Sequence, residues 1–433
     1  MNLLHNRRLG VAPAPWRGGN PRSPHNTAEG GTTMQPRTDA RVRALLLWTI
    51  AVMVVAGTAV PRAAGQAPKT AVKVGMISSA TGALASYGTQ FREGFQVGLA
   101  YATHGTGAIN GHKIEVAWND DAGDPAKAVS AAKDVIGQGS HILAGPISSA
   151  VALQVAPLAA QNRVLLISGA AAADAITGIN RYTFRSGRQT YQDILAAKSF
   201  IGDVAGKKVV TFAQDYAFGQ ANVAAVRSVL GRVGADVGQI LVPLNATDFT
   251  PFALQAAQGT PHLLFVAWAG STAPAMWQAL DQQGVFDATS VVTGLDQRSS
   301  YATFGPVAAK IGFLSHYVYQ APHNQANDFL VQSLKAQSKV PDLFDPDGFV
   351  AAQMIAHAVQ IADGDDVDKM VRALENWTFL APKGQQLIRA ADHAMLQPMF
   401  QVKLVAAGAG YEPQVVRTLP PAEVAPPPAP FKP

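Results

Sequence analysis

The 433-residue sequence contains no cysteine. That absence excludes disulfides, cysteine-ligated zinc, thiol catalysis and a lipid-modified cysteine together. It fits either a cytosolic chain or an exported one whose core needs no covalent staples. Charge is also sparse, at 15% of residues against 48% hydrophobic, so global disorder is excluded and a sizeable core is available. There is no H-E-x-x-H, no G-x-S-x-G and no P-loop, and the ten histidines show no ligand spacing. The chemistry those motifs serve has no support here, and no cofactor or metal is expected. Multiple membrane spans are lacking too, since only one uncharged apolar run, Ala44 to Pro61, is long.

What charge there is lies unevenly. Residues 1–67 carry eight Arg, no Lys, and only Glu29 and Asp39 as acids, a balance of +6; the whole chain is +5, so the remainder is −1. The pI of about 9.3 therefore belongs to the leader, and a nucleic-acid partner is not expected. The leader reads as a disordered Pro/Gly/Arg segment followed by a secretory signal. Arg41 and Arg43 precede the apolar run, with its centre at 44–60, and Ala63-Ala-Gly-Gln-Ala67 offers small residues for cleavage. Met34 is an alternative start. An uncleaved anchor is the other reading, and either one puts the body outside the cytoplasm.

The body is organised around Val72 to Gly88. Val72, Val74 and Met76 form a strand pattern that breaks into Ser78, Ser79, Thr81 and Gly82. A helix follows with Phe91, Phe95, Leu99 and Ala102 on one stripe. Strand, small polar loop and helix form the first unit of an open α/β sheet, whose ligands sit at the carboxyl ends of strands. Further units follow at Lys113–Trp118, His141–Ala144 and Val164–Ile167. Asp124 and Pro125 start a helix as cap and first residue, which is preferred over a calcium loop. Ser148 or Ser149 caps the next helix. After Tyr182–Arg185, Ser186-Gly187 reads as a crossing point. A second series starts with strands at Lys208–Phe212, Val237–Val242, His262–Val266, Val291–Thr293 and Phe313–Tyr319, and two such series predict two lobes. Helices are expected near 327–335, 348–361 and 367–377, and a late strand at Phe400–Leu404. Residues 413–433 read as a Pro-rich tail, disordered from Pro420.

Four segments in register, Thr81–Gly88, Asp120–Pro125, Gly145–Ser149 and Phe184-Arg185, resemble the periplasmic leucine/isoleucine/valine-binding proteins, the type I solute-binding proteins of branched-chain amino acid ABC transporters. The resemblance runs from about Val72 to Val405. It implies two α/β lobes, each a mostly parallel sheet flanked by helices, joined by three crossover strands. Lobe 1 would hold 72–187 and 320–378, and lobe 2 would hold 188–319 and 379–410. It further implies a monomer in the periplasm that closes on a small ligand and delivers it to a membrane permease.

The resemblance also places a site. Ser149 takes the position of the carboxylate-binding serine and Ala170 that of a backbone contact. Ala172 stands where a ligand-binding threonine is usual, a departure. Tyr87 is the lobe 1 tyrosine, Phe218 replaces a lobe 2 tyrosine, and Trp268 falls on or beside a ligand-facing aromatic. Asp296 stands where an acid accepts the ligand ammonium, and neighbouring Arg298 either neutralises it or grips a ligand carboxylate. Without the resemblance, Ser149 reads as a helix cap, Asp296 as a turn residue, and Trp268 and Phe218 as core aromatics. Arg185 reads as structural. The pocket is more apolar than a branched-chain amino acid needs, so aromatic acids or amides are rival ligands. A sensor module of the same fold, signalling to a membrane partner, is the rival function.

Overall fold

A computed structural model describes residues 69–431, and the leader with its signal-like run lies outside that range. The first sheet joins β1 (Val72–Ser78), the hairpin β2 (Ala108–Ile109) and β3 (His112–Asp120), β4 (Ile142–Ala144), β5 (Leu165–Ser168) and β6 (Thr183–Arg185) in the order β2-β3-β1-β4-β5-β6. Apart from the antiparallel β2–β3 hairpin, its pairings are parallel. Helices α1 (Ala85–Ala102), α2 (Pro125–Gly137) and α3 (Ser149–Gln161) make the crossovers. The central strands are buried on both faces. Val72, Val74 and Met76 meet Phe91 and Phe95 of α1, while Ile77, Leu143 and Leu166 meet Val135 and Val155 of α2 and α3. That double burial explains why these strands read as near-continuous apolar runs.

The second sheet has the order β16-β15-β11-β10-β9-β7-β8. Its parallel part comprises β7 (Lys208–Gln214), β8 (Asp236–Val242), β9 (Leu263–Ala267), β10 (Ser290–Gly294) and β11 (Ile311–Ser315). Helices α4 (Thr190–Ile201) and α5 (Ala217–Val229) cover one face, and α6 (Thr250–Gly259) and α7 (Ala273–Gln282) the other. Single-turn helices α8 (Val285–Ala288) and α9 (Tyr301–Phe304) sit in its loops. The strand read as Phe313–Tyr319 ends at Ser315, because Ser315 Oγ bonds both the N–H and the carbonyl of Tyr317 and turns the chain.

The chain then returns to the first lobe as α10 (Gln325–Lys335), α11 (Asp345–Ala362) and α12 (Val367–Leu374). It stays there longer than the boundary at 379 implies. The antiparallel strands β12 (Thr378–Ala381), β13 (Gly384–Ile388) and β14 (Met395–Leu396) form a small third sheet, and its Ala381, Ile388 and Met395 belong to the first core. Only β15 (Met399–Ala407) enters the second sheet, with β16 (Gly410–Leu419) on its edge.

The tail also departs from its sequence reading. Residues 410–419 are a strand, and 420–431 lie against both lobes. Val424 is buried among Met399, Leu419 and Ile194 on the second-lobe side. Arg389 Nη1 donates to the Pro426 carbonyl at 2.8 Å, Ala429 N donates to Asp392 Oδ2 at 2.9 Å, and Phe431 sets its edge on the His393 ring. A proline-rich segment cannot join a ladder, but its carbonyls and apolar side chains still bind a groove. A chain ending at Leu419 is expected to lose about 2–4 kcal/mol, one buried valine plus hydrogen bonds of about 1 kcal/mol each. Urea denaturation measures this, and an unchanged midpoint would return the tail to solvent.

Candidate functional site

The exits of β1, β4 and β5 face the exits of β7, β9 and β10 across a cleft whose water-accessible volume is about 80 Å³. Tyr87, Ser149, Ala170, Ala172, Phe218, Trp268 and Asp296 all line it. Arg298 does not. The 3-10 turn Arg298–Ser300 carries its side chain to Glu412 on β16, whose carboxylate accepts from the two terminal guanidinium nitrogens. Arg298 therefore neither neutralises Asp296 nor faces the cleft.

The lobes touch directly across the cleft. Tyr87 Oη donates to Asp296 Oδ1 at 2.6 Å and accepts from Gly270 N at 3.2 Å. Ser271 N donates to the Ala83 carbonyl at 3.3 Å, and Gln90 Nε2 to Gln297 Oε1 at 3.2 Å. Burial raises the Asp296 pKa above the usual carboxylate range, with the Tyr87 bond pulling against it. Burial, then the charge of Asp296, lifts the Tyr87 phenol well above its ordinary value. The neutral phenol is thus the donor to the Asp296 carboxyl.

Ser149 is the first residue of α3, behind the N-cap Ser148. Its Oγ does not cap the helix. It accepts from Ala173 N at 3.1 Å, so the hydroxyl proton remains available to an acceptor in the cleft. Below it, fully buried Arg185 donates to the carbonyls of Ala171, Ala173 and Arg188 and so fixes the β5 exit to the crossover. Burial lowers its pKa to about 10, which leaves it charged. The Ala170 carbonyl is engaged by Arg188 Nη1 at 3.2 Å.

The remaining wall includes several aromatic rings. Trp268 is held by a 3.0 Å bond from Nε1 to Thr272 and packs on Phe212 and Phe249. Tyr87 packs on Phe344, and Phe218 on Tyr216. Several lining residues were not foreseen: Arg188, Asp193, Tyr216, His316 and Phe344. Arg188 and His316 lie on segments that pass between the lobes, and the first such segment was visible as Ser186-Gly187. Crossing segments form the floor of a cleft, so the residue following that pair carried a usable signal.

Among the described residues no cluster of His, Asp and Glu is placed to hold a metal ion. In the acidic loop at 119–125, Asp120 and Asp124 are engaged by neighbouring protein groups, while Asp121 Oδ2 is buried without a hydrogen-bond partner. Asp124 caps α2 through Ala126 N and Lys127 N. Asp120 takes Thr81 Oγ1 and three backbone N–H groups, and the Thr81 bond leads in lowering its pKa to about 2. No helix of the described residues is long and apolar enough to cross a membrane.

Two α/β lobes with a lined cleft at their strand exits are the architecture of the two-lobed solute-binding proteins. Residues 71–409 match the family model described as periplasmic binding protein. The chain is 23% identical over 309 residues to Leu/Ile/Val-binding protein homolog 3 of Brucella melitensis, covering 70% of this chain and 83% of that one. It superposes on an ABC-type branched-chain amino acid transporter structure from Rhodopseudomonas palustris with a TM-score of 0.68 and 33% identity, covering 81% and 97% of the two chains. A solute-binding protein of an R. palustris ABC transporter in complex with 4-hydroxybenzoate shares the fold at a TM-score of 0.74 and 21% identity, with 81% and 97% covered. The chain belongs to the periplasmic binding protein family, in the branch that includes the Leu/Ile/Val-binding proteins. Its relatives are substrate-binding proteins of ABC transporters, and the family is extracytoplasmic.

Proposed function

We propose that the protein is an exported, monomeric solute-binding subunit of an ABC importer. It captures a branched-chain amino acid or a related small amphipathic carboxylate and hands it to a membrane permease. The observation that carries this reading is the Tyr87–Asp296 bond, which ties a lobe 1 aromatic to a lobe 2 acid across the cleft. A ligand that contacts both sides only when they meet selects the closed form, and the closed form presents a surface built from both lobes. The signal-like run of the leader supplies the export route. Aromatic acids are the second reading. It is favoured by the ring-lined wall, by the missing hydroxyl at Ala172, and by the 4-hydroxybenzoate in a structural relative.

Thermal stability of the 68–433 fragment against aliphatic and aromatic amino acids, amides and aromatic acids tests both readings. A ligand at a hundred times its Kd adds about 2.7 kcal/mol, an easily read shift. Asp296→Ala is expected to abolish the shift given by amine-bearing ligands while the unliganded protein stays folded, because it removes the acid placed to accept an ammonium. Unchanged affinity in that variant would remove the ammonium role. Stabilisation by acids lacking an amine, alone, would select the aromatic-acid reading.

A further inference from the structure

We infer that Arg188 is the residue that grips the ligand's carboxylate, an inference that rests on the cleft being the solute site. Arg188 lies between β6 and α4, on the first segment that passes between the lobes. Its backbone is pinned. Ser186 N donates to the Ser168 carbonyl at 2.9 Å, Gln189 and Gln192 form a capping box, and the Arg188 carbonyl accepts from Arg185 at 2.7 Å. A fixed backbone at the cleft floor aims the side chain into the cavity that Ser149, Phe218 and Trp268 also line.

The guanidinium is under-used by the protein. Nη1 donates to the Ala170 carbonyl at 3.2 Å. Nε is 3.4 Å from Asp193 Oδ1, and both of those buried atoms lack a hydrogen bond. Nη2 donates to no group among the described residues. Five N–H donors in a planar fork, with one engaged, leave a charged group that costs free energy to hold in a half-dry cavity unless an acceptor arrives. A carboxylate matches that fork with two parallel bonds, as a hydroxyl or amide does not.

Two titratable groups flank the guanidinium: Asp193 already pairs with it through one oxygen, and His316 stands beside it. Burial, reinforced by the charge of Arg188, drives His316 well below its usual pKa, so it is neutral. Burial raises Asp193 to about 6 against the pull of Arg188, so it is an anion above that pH. Asp193 offsets the arginine but meets it with one oxygen, leaving the rest of the fork open. Ser149 supplies a further hydroxyl donor, and Tyr87 with Asp296 supplies a second polar pair for a ligand hydroxyl or amine. The ligand class that follows is a compact monoanionic carboxylate with an apolar body against Phe218 and Trp268.

The test pairs each acid with its amide: leucine with leucinamide, and 4-hydroxybenzoate with 4-hydroxybenzamide. Each is titrated calorimetrically into wild type, Arg188→Gln and Arg188→Lys. An acid that binds wild type is expected to weaken by about ten- to hundredfold in Arg188→Gln, the scale of hydrogen bonds to a charged group, while its amide changes little. Arg188→Lys keeps the charge without the fork and is expected to fall between the two. It decides the matter if the glutamine variant fails to fold, as urea denaturation without ligand will show. Acids binding both variants as tightly as wild type would overturn the role of Arg188. Amides binding wild type as well as acids do would overturn the carboxylate class and leave solute capture standing. If neither acids nor amides bind the folded wild type, both readings fall.

Discussion

Gly348→Ala is expected to destabilise the protein by about 3 kcal/mol, the top of the usual range for overpacking. A Cβ built on Gly348 would lie 2.0 Å from the Phe91 carbonyl oxygen and 2.7 Å from Phe95 N. From the other helix, a Cβ on Gly94 would lie 1.8 Å from the Asp345 carbonyl oxygen. The obstacles are backbone atoms, so no rotamer change relieves them. α1 and α11 must move apart, and Phe91, Phe95, Val350 and Ala351 in the shared core lose contact. The start of α11 also carries Leu343 and Phe344 into the cleft wall. Gly137→Ala is the control. Nothing lies within 4 Å of the added carbon there, and alanine in a helix is favoured over glycine by up to about 1 kcal/mol. Urea denaturation of both variants decides the point. A Gly348→Ala midpoint equal to that of Gly137→Ala would mean that the two helices are not in backbone contact.

Those glycines were visible in the sequence, but their reason was not. Helical spacing shows which residues of α1 face inward. It does not show that a second helix, some 250 residues later in the chain, approaches within backbone distance. The strands and their exits were legible because two-sided burial forces apolar runs and because strand exits shed apolar residues abruptly. Seven of the residues assigned from sequence to the site reach one cavity for that reason. Arg298 was misjudged because adjacency to Asp296 says nothing about direction, and one turn of 3-10 helix sends it to Glu412 instead. The tail was misjudged because composition registers the inability of proline to pair in a sheet, not the groove that holds Val424. His316 escaped because a single polar residue on a crossing segment has no periodicity to betray it, and Arg188 was passed over although it directly follows the Ser186-Gly187 crossing. The third sheet was assigned to the wrong lobe because the resemblance fixed the order of the crossings better than their positions.

Lys383→Met is expected to cost about 3–5 kcal/mol, the price of leaving one partner of a buried ion pair alone. Lysine is rarely buried, yet Lys383 Nζ lies 2.5 Å from Asp347 Oδ1 with both side chains fully enclosed. It also donates to Gln397 Oε1 at 2.9 Å, on the segment leading from the small sheet to β15. On the other side of Asp347, Gly187 leaves so little room that a Cβ there would sit 2.6 Å from Oδ2. One ion pair therefore touches both the first and the third passages between the lobes. Burial raises the pKa of Asp347, and Lys383 is the largest influence holding it down, with Arg188 and Arg185 behind. Removing the lysine raises it further. A carboxyl whose folded pKa lies above its unfolded value stabilises the fold relative to the ionised state at low pH, and that stability is lost as pH rises through the folded pKa. The deficit of Lys383→Met should accordingly be larger at about pH 8 than at about pH 5, read as the difference in urea midpoints from wild type. Adding Asp347→Asn removes the stranded charge while keeping the shape beside Gly187, and is expected to recover about 2 kcal/mol of the loss at the higher pH. Equal deficits at both pH values, with no recovery in the double variant, would show that Lys383 acts through packing rather than through its charge on Asp347.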